Sequence, residues 1–172
     1  MSRRLLILRH AKSAWDTDAP TDFERPLAKR GKRDAPRIGS WLHEQGLAPD
    51  YVVSSPAKRA KQTTLKACRA LGVKKEQVQW DERIYEAGVG ALLGVLADAP
   101  TAAKTVMLVG HNPGLEDLTK HLGGADVTVA EDGKLLPTAT VANLEMPDDW
   151  SRLTRGAGRL VQITRPRSLD AS

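Results

Sequence analysis

The sequence predicts an α/β fold, a three-layer α/β/α arrangement with a mostly parallel central sheet. Short aliphatic runs alternate with longer segments of helical periodicity, which is the pattern of strands joined by crossover helices. The 172 residues, of which 41% are apolar, suit one domain with a sizeable core. We expect this domain to span residues 1–166 and a short tail to span 167–172.

The first strand and helix are expected near the N-terminus. The run RLLILR at 4–9 is short, continuous and aliphatic, as in a buried strand. Apolar residues then recur at helical spacing over 26–46, and Gly46 is placed to cap that helix. Pro36 lies inside this pattern and is expected to kink or divide the helix.

The second strand and helix follow directly. The segment DYVVSS at 50–55 predicts the strand. Residues 56–72 predict the helix, with Pro56 at its first position and Gly72 beyond its last.

Six further elements are expected in the rest of the chain. In order they are a strand over 78–85, a helix over 89–99, a strand over 104–111, a helix over 113–123 and strands over 139–146 and 158–166. The last two strands alternate more between apolar and polar residues, so we expect them nearer an edge or exposed on one face.

Composition narrows the functional classes. The net charge of +5 suits an anionic ligand, but basic residues are not interleaved with aromatics, so we expect no nucleic-acid partner. No apolar run is long enough to cross a membrane, and the N-terminus lacks a secretory pattern.

Cys68 is the single cysteine and is expected to be a buried, inert thiol. We therefore expect a cytoplasmic protein, and a monomer because no apolar stripe suggests an interface.

Polar residues follow three of the predicted strands. Arg9 and His10 end the first, the segment SSPAKRAKQT at 54–63 with Arg59 follows the second, and His111 lies in GHNPG at 110–114. Each residue alone is ordinary in a loop or on a solvated helix face. In a parallel sheet, however, the carboxyl ends of the strands form one rim, where ligands bind.

Two arginines and two histidines at one rim favour an oxyanion site. Guanidinium groups match phosphoryl oxygens through paired hydrogen bonds. A metal site normally needs further cysteine, histidine or carboxylate ligands, and neighbouring arginines would repel the ion. We therefore expect a phosphoryl-binding site with no metal and no cofactor.

Three motifs resemble the histidine phosphatase superfamily, the phosphoglycerate mutase-like group, and its small SixA-type branch. They are LRHAKSAW at 8–15, SSPAKRAKQT at 54–63 and VGHNPGLEDL at 109–118, in the family order. The resemblance implies a phosphoglycerate mutase-like fold and a transiently phosphorylated nucleophile at His10. It also implies a pocket of Arg9, Arg59 and His111 around the phosphoryl oxygens. Ala11 stands where the family usually has glycine.

Four further residues are candidates for substrate binding, each with an alternative. Lys12 could contact phosphate or be a solvated loop lysine, and Ser13 could bind phosphate or cap its own turn. Glu86 matches the acid that protonates the leaving oxygen in many relatives, although an exposed loop acid is favoured. Asn112 could orient His111 or cap the next helix, and capping is favoured.

The leading hypothesis is a metal-independent phosphatase that hydrolyses protein phosphohistidine through a phosphohistidine on His10. The short segment over 64–107 leaves room for few insertions, which favours a shallow, open cleft. A small phosphorylated substrate, a mutase or a non-catalytic phosphoryl-binding module are the alternatives. Glu116 and Asp117 are interpreted as ordinary acids at a helix N-terminus.

Overall fold

The computed structural model describes residues 3–124, 127 and 132–171. The strands are β1 (Arg3–Arg9), β2 (Tyr51–Ser54), β3 (Val78–Trp80), β4 (Thr105–Gly110), β5 (Val141–Met146) and β6 (Arg159–Thr164). The helices are α1 (Lys29–Glu44), α2 (Lys58–Leu71), α3 (Val89–Ala97) and α4 (Gly114–Gly123). Short 3-10 turns cover Lys75–Gln77, Glu82–Ile84 and Pro166–Ala171, the last of which contains the described part of the predicted tail.

The six strands form one sheet in the order β3-β2-β4-β1-β5-β6. The pairs β3–β2, β2–β4 and β4–β1 are parallel, whereas β5 runs antiparallel to both β1 and β6. Since only β5 is reversed among these strands, the sheet is mostly parallel, and the predicted fold class is confirmed.

The aliphatic run of β1 supplies both faces of the sheet. Leu5 and Ile7 belong to the core under α3 and α4, whereas Leu6 and Leu8 belong to the core under α1 and α2. All four side chains are fully buried, as expected for a strand covered on both sides. The helices therefore form the two outer layers. Among the residues described, no helix has the length and apolarity needed to span a membrane.

Helix α1 differs from the sequence prediction in its start and at its proline. It begins at Lys29 and runs unbroken through Pro36. A proline inside a helix destabilises it by about 3 kcal/mol. Here Ala35 before Pro36, and Ile38 and Leu42 after it, are buried in the core and offset this cost. The helix ends as predicted, because Gly46 has a φ of 70° and accommodates the left-handed turn there.

Helix α2 begins two residues later than predicted, at Lys58. The N–H of Ala57 donates to Ser55 Oγ at 3.2 Å, and the backbone of Ala57 is extended. Pro56 therefore lies in the turn before the helix and not at its first position. The predicted glycine end is confirmed, since Gly72 is the left-handed C-cap.

The two C-terminal strands differ from each other. Strand β6 is the edge of the sheet, and most of its residues are partly or fully exposed, as the sequence predicts. Strand β5 was expected to be similar, but all of its residues except the half-buried Glu145 are buried. The reason is its position between β1 and β6, where both faces are covered.

Candidate active site

Three strand ends meet at one edge of the sheet. The N–H of His10 donates to the carbonyl of Gly110, and the N–H of Ser55 donates to the carbonyl of Val109, each at 3.0 Å. These bonds continue the parallel pairing one residue beyond β1 and β2. His10, Ser55 and His111 are therefore held side by side on rigid backbone.

The His10 ring is held in one orientation by the loop that follows β1. Its Nδ1 lies 2.8 Å from the carbonyl oxygen of Ala11. Because a carbonyl can only accept, Nδ1 carries the proton in the neutral ring and Nε2 keeps a free lone pair. The Ala11 N–H in turn donates to Thr63 Oγ1 at 2.9 Å, which anchors the loop to α2. A side chain at Gly31 would overlap the backbone of Lys12, so α1 packs closely on the same loop.

Both site histidines are neutral at physiological pH. Burial lowers the pKa of His10 to about 3, and the positive charge of Arg9 and Arg59 adds to the effect. Burial and the charge of Arg59 likewise lower the pKa of His111 to about 4. A neutral imidazole can act as a nucleophile through its free nitrogen.

His111 faces His10 and is oriented by Ser55. The two ring centroids are 5.2 Å apart. His111 Nε2 lies 2.8 Å from Ser55 Oγ, which already accepts the N–H of Ala57. The Ser55 hydroxyl therefore has its proton available for Nε2, and in that arrangement Nδ1 of His111 carries an N–H.

The Arg9 side chain hydrogen-bonds to a loop on the other side of the site. Its Nη1 donates to the carbonyl oxygen of Leu136 at 3.1 Å, and Asn112 Nδ2 donates to the same oxygen at 2.7 Å. The N–H of Leu136 donates to Glu116 Oε2 at 2.9 Å. Burial lowers the pKa of Arg9, and the Glu116 carboxylate opposes that effect. Glu116 thus supports the positions of Arg9 and Asn112 through one residue, Leu136.

Arg59 lies in the first turn of α2 and is fastened to Asp22. Its Nη1 donates to the backbone carbonyl of Asp22 at 2.7 Å, and its Nη2 donates to the carboxylate at 2.9 Å. Tyr85 also donates to this carboxylate, at 2.7 Å. These hydrogen bonds lower the pKa of Asp22 to about 2, so the residue is an anion at neutral pH.

Several polar atoms of the site point away from these partners. Within the described part of the chain, Arg9 Nε, Arg59 Nε, His111 Nδ1 and Asn112 Oδ1 are buried and have no hydrogen-bond partner. Buried polar atoms are normally paired, and the exceptions are concentrated at functional sites. Three of these atoms belong to the residues expected to surround the phosphoryl oxygens, which would accept from guanidinium and imidazole N–H groups.

The structure does not bring two of the predicted substrate-binding residues into this group. Lys12 is exposed, and its backbone carbonyl accepts the N–H of Ala28. Ser13 is buried, and its hydroxyl accepts a short hydrogen bond from Arg25. The Ser13 hydroxyl therefore binds Arg25 and not a phosphate. The Lys12 side chain lies in solvent.

Glu86 and Asn112 do line the cleft beside Arg59 and His111. Glu86 is exposed and has a φ of 57°, a left-handed conformation that is uncommon for a residue with a side chain. The expected capping role of Asn112 is wrong, because the N-cap of α4 is Pro113 and its cap makes no side-chain hydrogen bond. The side-chain amide of Asn112 donates instead to the carbonyl of Leu136.

Three residues of the site were not predicted from the sequence. Asp22 and Tyr85 lie in loops without a motif that assigns them, and their contact joins residues 63 positions apart. The sequence predicts Glu116 as an acid at a helix N-terminus, and it lies there. Its hydrogen bond to the Leu136 N–H could not be predicted. Its place in the third motif was the available signal.

The cleft is formed by loops from both outer layers. It has a volume of about 510 Å³, and its lining includes Asp22, Arg59, Tyr85, Glu86 and His111. Between α2 and β4 the chain supplies only short 3-10 turns, β3 and the nine-residue helix α3. None of these elements adds a long insertion near the site.

Comparison with known proteins agrees with this architecture. The model of the histidine phosphatase superfamily (branch 1) matches residues 5–100. An uncharacterised protein of Mycobacterium tuberculosis (strain H37Rv), Rv1276c, is 34% identical over 164 residues, which cover 93% of this chain and 100% of that protein.

Solved structures are similar over almost the whole chain. The "putative phosphohistidine phosphatase SixA" of Agrobacterium tumefaciens is 31% identical with a TM-score of 0.81, covering 96% of this chain and 99% of that one. A protein of the same description from Nakamurella multipartitia is 28% identical with a TM-score of 0.82, covering 96% of this chain and 97% of that one. With its histidine pair and two arginines at the sheet rim, the chain belongs to the histidine phosphatase superfamily, branch 1, and is a phosphatase similar to those of the SixA type.

Proposed function

We propose that this protein hydrolyses phosphohistidine on another protein through a covalent phosphohistidine at His10. One observation carries the proposal above all. The Nδ1–H of the buried, neutral His10 donates to the Ala11 carbonyl, which leaves Nε2 without a proton. The ring lies 5.2 Å from that of His111, and Arg9 and Arg59 are close enough to lower its pKa. A nucleophile held in one tautomer beside paired guanidinium groups suits attack on phosphorus.

The first step transfers the phosphoryl group to His10. The lone pair of Nε2 forms the new N–P bond while the P–N bond of the substrate breaks, and the leaving imidazole takes a proton from solvent. The imidazole of His10 becomes positively charged on phosphorylation, and its Nδ1–H continues to donate to the Ala11 carbonyl. Arg9 and Arg59 stabilise the charge on the equatorial oxygens, as a metal ion does elsewhere.

The second step returns the enzyme to its starting state. Water attacks phosphorus, the N–P bond to His10 breaks, and inorganic phosphate leaves with the oxygen of that water. Both protons of the water leave with the phosphate, and the Nδ1–H of His111 can donate a hydrogen bond to a phosphoryl oxygen, since Ser55 can donate to its other nitrogen. The same residues serve both steps because charge develops on the same oxygens.

Two features favour phosphohistidine as the substrate. An imidazole leaving group can be protonated before the P–N bond breaks, so it needs less help from an enzyme acid than an alkoxide does. The short elements between α2 and β4 also leave the cleft accessible to a phosphorylated residue on a protein surface. The similarity to SixA-type proteins supports the same substrate. We also propose that the protein is a monomer and that it acts in the cytoplasm.

A second candidate is the hydrolysis of a small phosphomonoester. It is favoured by Glu86, which lines the cleft and could protonate an alkoxide leaving group. Over 96 residues, 55% of this chain and 39% of the relative, the chain is also 38% identical to a phosphoglycerate mutase of Bifidobacterium longum. A non-catalytic phosphoryl-binding module is less consistent with the site, because binding alone requires no oriented nucleophile such as His10.

The test compares the wild type with His10→Ala. Each protein is incubated with a phosphorylated histidine-phosphotransfer domain and, separately, with an aryl phosphate. We expect an acid-labile, alkali-stable phosphoenzyme and release of phosphate from the phosphotransfer domain in the wild type, and neither in His10→Ala. The control is His43→Ala, which removes an exposed histidine near the end of α1 and should behave as the wild type.

Two results would overturn parts of the proposal. Full turnover without a labelled enzyme would exclude the covalent intermediate. Hydrolysis of the aryl phosphate with no action on phosphohistidine would exclude the substrate and leave the second candidate.

A further inference from the structure

A second concave, strongly basic site lies outside the catalytic cleft. This cavity of about 390 Å³, named here the basic pocket, lies between α1, the loop over 132–140 and the segment that follows β6. Its charged lining consists of Arg30, Arg33, Arg37, Lys134, Arg165 and Arg167, with Asp34 and Asp132. The predicted chemistry at the sheet rim does not use any of these side chains.

One wall of the basic pocket is the exposed side of α1. Arg30, Arg33 and Arg37 lie at helical spacing on one face and surround the buried carboxylate of Asp34. Their nearest nitrogens lie 3.7, 3.8 and 3.4 Å from its oxygens. Arg30 and Arg33 face Asp34 with Nε, so Asp34 orients each guanidinium. One terminal nitrogen of Arg30 also lies 3.5 Å from Thr138 Oγ1, across the pocket.

The opposite wall is built around Arg165. Its two terminal nitrogens bind both oxygens of Asp132, at 2.7 and 3.2 Å, and one of them also donates to the carbonyl of Lys134 at 2.9 Å. The N–H of Lys134 donates to Asp132 Oδ1 at 3.0 Å. These bonds order the backbone of the loop and leave the ammonium group of Lys134 on its exposed side chain.

The charges of this lining do not balance. Among the described lining residues, six cationic side chains meet two carboxylates, both already in ion pairs, so positive charge is in excess. Its volume is within the range of small-ligand sites, about 300–1,000 Å³. None of the described lining residues is aromatic, so the lining offers phosphate contacts but no surface for stacking a base.

We propose that the basic pocket binds a small anion with a diphosphate or triphosphate group, independently of the catalytic cleft. Planar guanidinium groups on one wall and an ammonium group on the other match the several oxygens of such a chain. The two cavities share none of their described lining residues. The segment that includes Leu136 separates them, because its carbonyl accepts from Arg9 on the catalytic side while Pro137 and Thr138 line the basic pocket.

The test uses titration calorimetry on the His10→Ala protein, so that no ligand is turned over. The ligands are methylenediphosphonate, a diphosphate analogue that resists hydrolysis, ADP and adenosine. We expect methylenediphosphonate and ADP to bind and adenosine not to bind. If ADP binds more tightly than methylenediphosphonate, the natural ligand is a nucleotide. If the two bind equally, the pocket recognises only the phosphate chain.

The combined change Arg30→Gln, Arg33→Gln and Lys134→Gln tests the location. It should weaken binding by about 100-fold, because three charge-assisted contacts are lost. All three residues are exposed, and Arg37 still faces the buried carboxylate of Asp34 at 3.4 Å, so the fold should be retained. The matched control Arg69→Gln, Arg155→Gln and Lys75→Gln removes three exposed positive charges elsewhere and should bind as the parent does.

Equal binding by the two triple variants would overturn the proposal, as would adenosine binding as tightly as ADP. Phosphatase activity, measured separately in triple variants that keep His10, should be unchanged. The inference can therefore fail without affecting the proposed function, and the reverse also holds.

Discussion

Asp22 and Arg59 form a two-point contact at the mouth of the catalytic cleft. The guanidinium donates to the backbone carbonyl of Asp22 at 2.7 Å and to its carboxylate at 2.9 Å, while Arg59 Nε stays without a partner among the described residues. Asp22 thus holds both terminal nitrogens of Arg59, a residue that also lines the cleft. This arrangement makes Asp22 a positioning residue for Arg59.

Replacing Asp22 should weaken catalysis through Arg59. Asp22→Ala removes the side-chain contact, so a loosely held guanidinium should lower kcat/KM for phosphohistidine by about tenfold. Asp22→Asn keeps an acceptor oxygen and should lose less. Steady-state kinetics would check this, with Asp18→Ala, an exposed acid of the same loop, as control. A faster Asp22→Ala enzyme would instead mean that the carboxylate competes with the phosphoryl group.

Replacing Glu116 should affect Arg9 at a distance. Glu116→Ala removes the acceptor of the Leu136 N–H, and the carbonyl of the same residue holds Arg9 and Asn112. We expect kcat to fall by about tenfold and the free energy of unfolding to fall by about 1–2 kcal/mol. Asp117→Ala, in the same helical turn, is the control for the loss of an N-terminal acid. If both variants lose activity equally, the bond to Leu136 is not the cause.

Glu86 should matter only for poor leaving groups. Glu86→Gln removes a proton donor but keeps the shape of the side chain, so kcat/KM for phosphohistidine should change by less than about twofold. For an alkyl phosphate it should fall by about 100-fold, since an alkoxide needs protonation. Parallel assays on both substrates, with the exposed Glu82→Gln as control, would measure this. A large loss on phosphohistidine would contradict the leaving-group argument.

Trp15 should contribute to recognition of a protein substrate. Its side chain is 75% exposed although it is aromatic, and it lies under the guanidinium of Arg25, 3.7 Å from the ring centroid. Exposed tryptophans are frequent anchors of protein interfaces. Trp15→Ala should lower kcat/KM for a phosphorylated phosphotransfer domain by about tenfold and leave an aryl phosphate almost unchanged. Val161→Ala, an exposed apolar residue on the edge strand, is the control, and equal losses on both substrates would refute the role.

Stability should fall on acidification because folding lowers the pKa values of His10 and His111. The pKa of each is lowered from 6.5, to about 3 for His10 and about 4 for His111. Below pH 6.5 the unfolded chain therefore binds protons that the folded chain does not, and the free energy of unfolding falls as the pH falls. Each histidine contributes at most about 1.4 kcal/mol per pH unit within this window.

Urea unfolding between pH 7 and pH 4.5 would measure the effect. His10→Gln removes one of these two imidazoles, so its slope of unfolding free energy against pH should be shallower by up to about 1.4 kcal/mol per unit. His43→Gln, at an exposed position, should leave the slope unchanged. A wild-type slope equal to that of His10→Gln would show that the His10 ring is not held neutral by the fold.

The fold could be predicted where local patterns are strong. The aliphatic run of β1 and the glycine that ends α2 signal their structures through periodicity and backbone freedom alone. Pro36 shows the limit of such patterns, because packing of α1 on the sheet outweighs the local cost of the proline. The burial of β5 likewise depends on its neighbours, which its own alternation does not reveal.

The sequence by itself determined which chemical groups stand at the ends of the parallel strands. Arg9, His10, Arg59 and His111 could be predicted to meet, because parallel strands present their carboxyl ends at one edge. Their catalytic roles remain predictions for the experiments above.

Only the tertiary structure decided how these groups are held and what state they are in. The contact of Asp22 with Arg59 and the bond from Leu136 to Glu116 join segments 37 and 20 residues apart. Each of them ties a helix to a loop, and no local pattern specifies the path of that loop. The protonation of His10 and His111 likewise follows from burial among neighbouring cations, a property of the packed molecule and not of either residue.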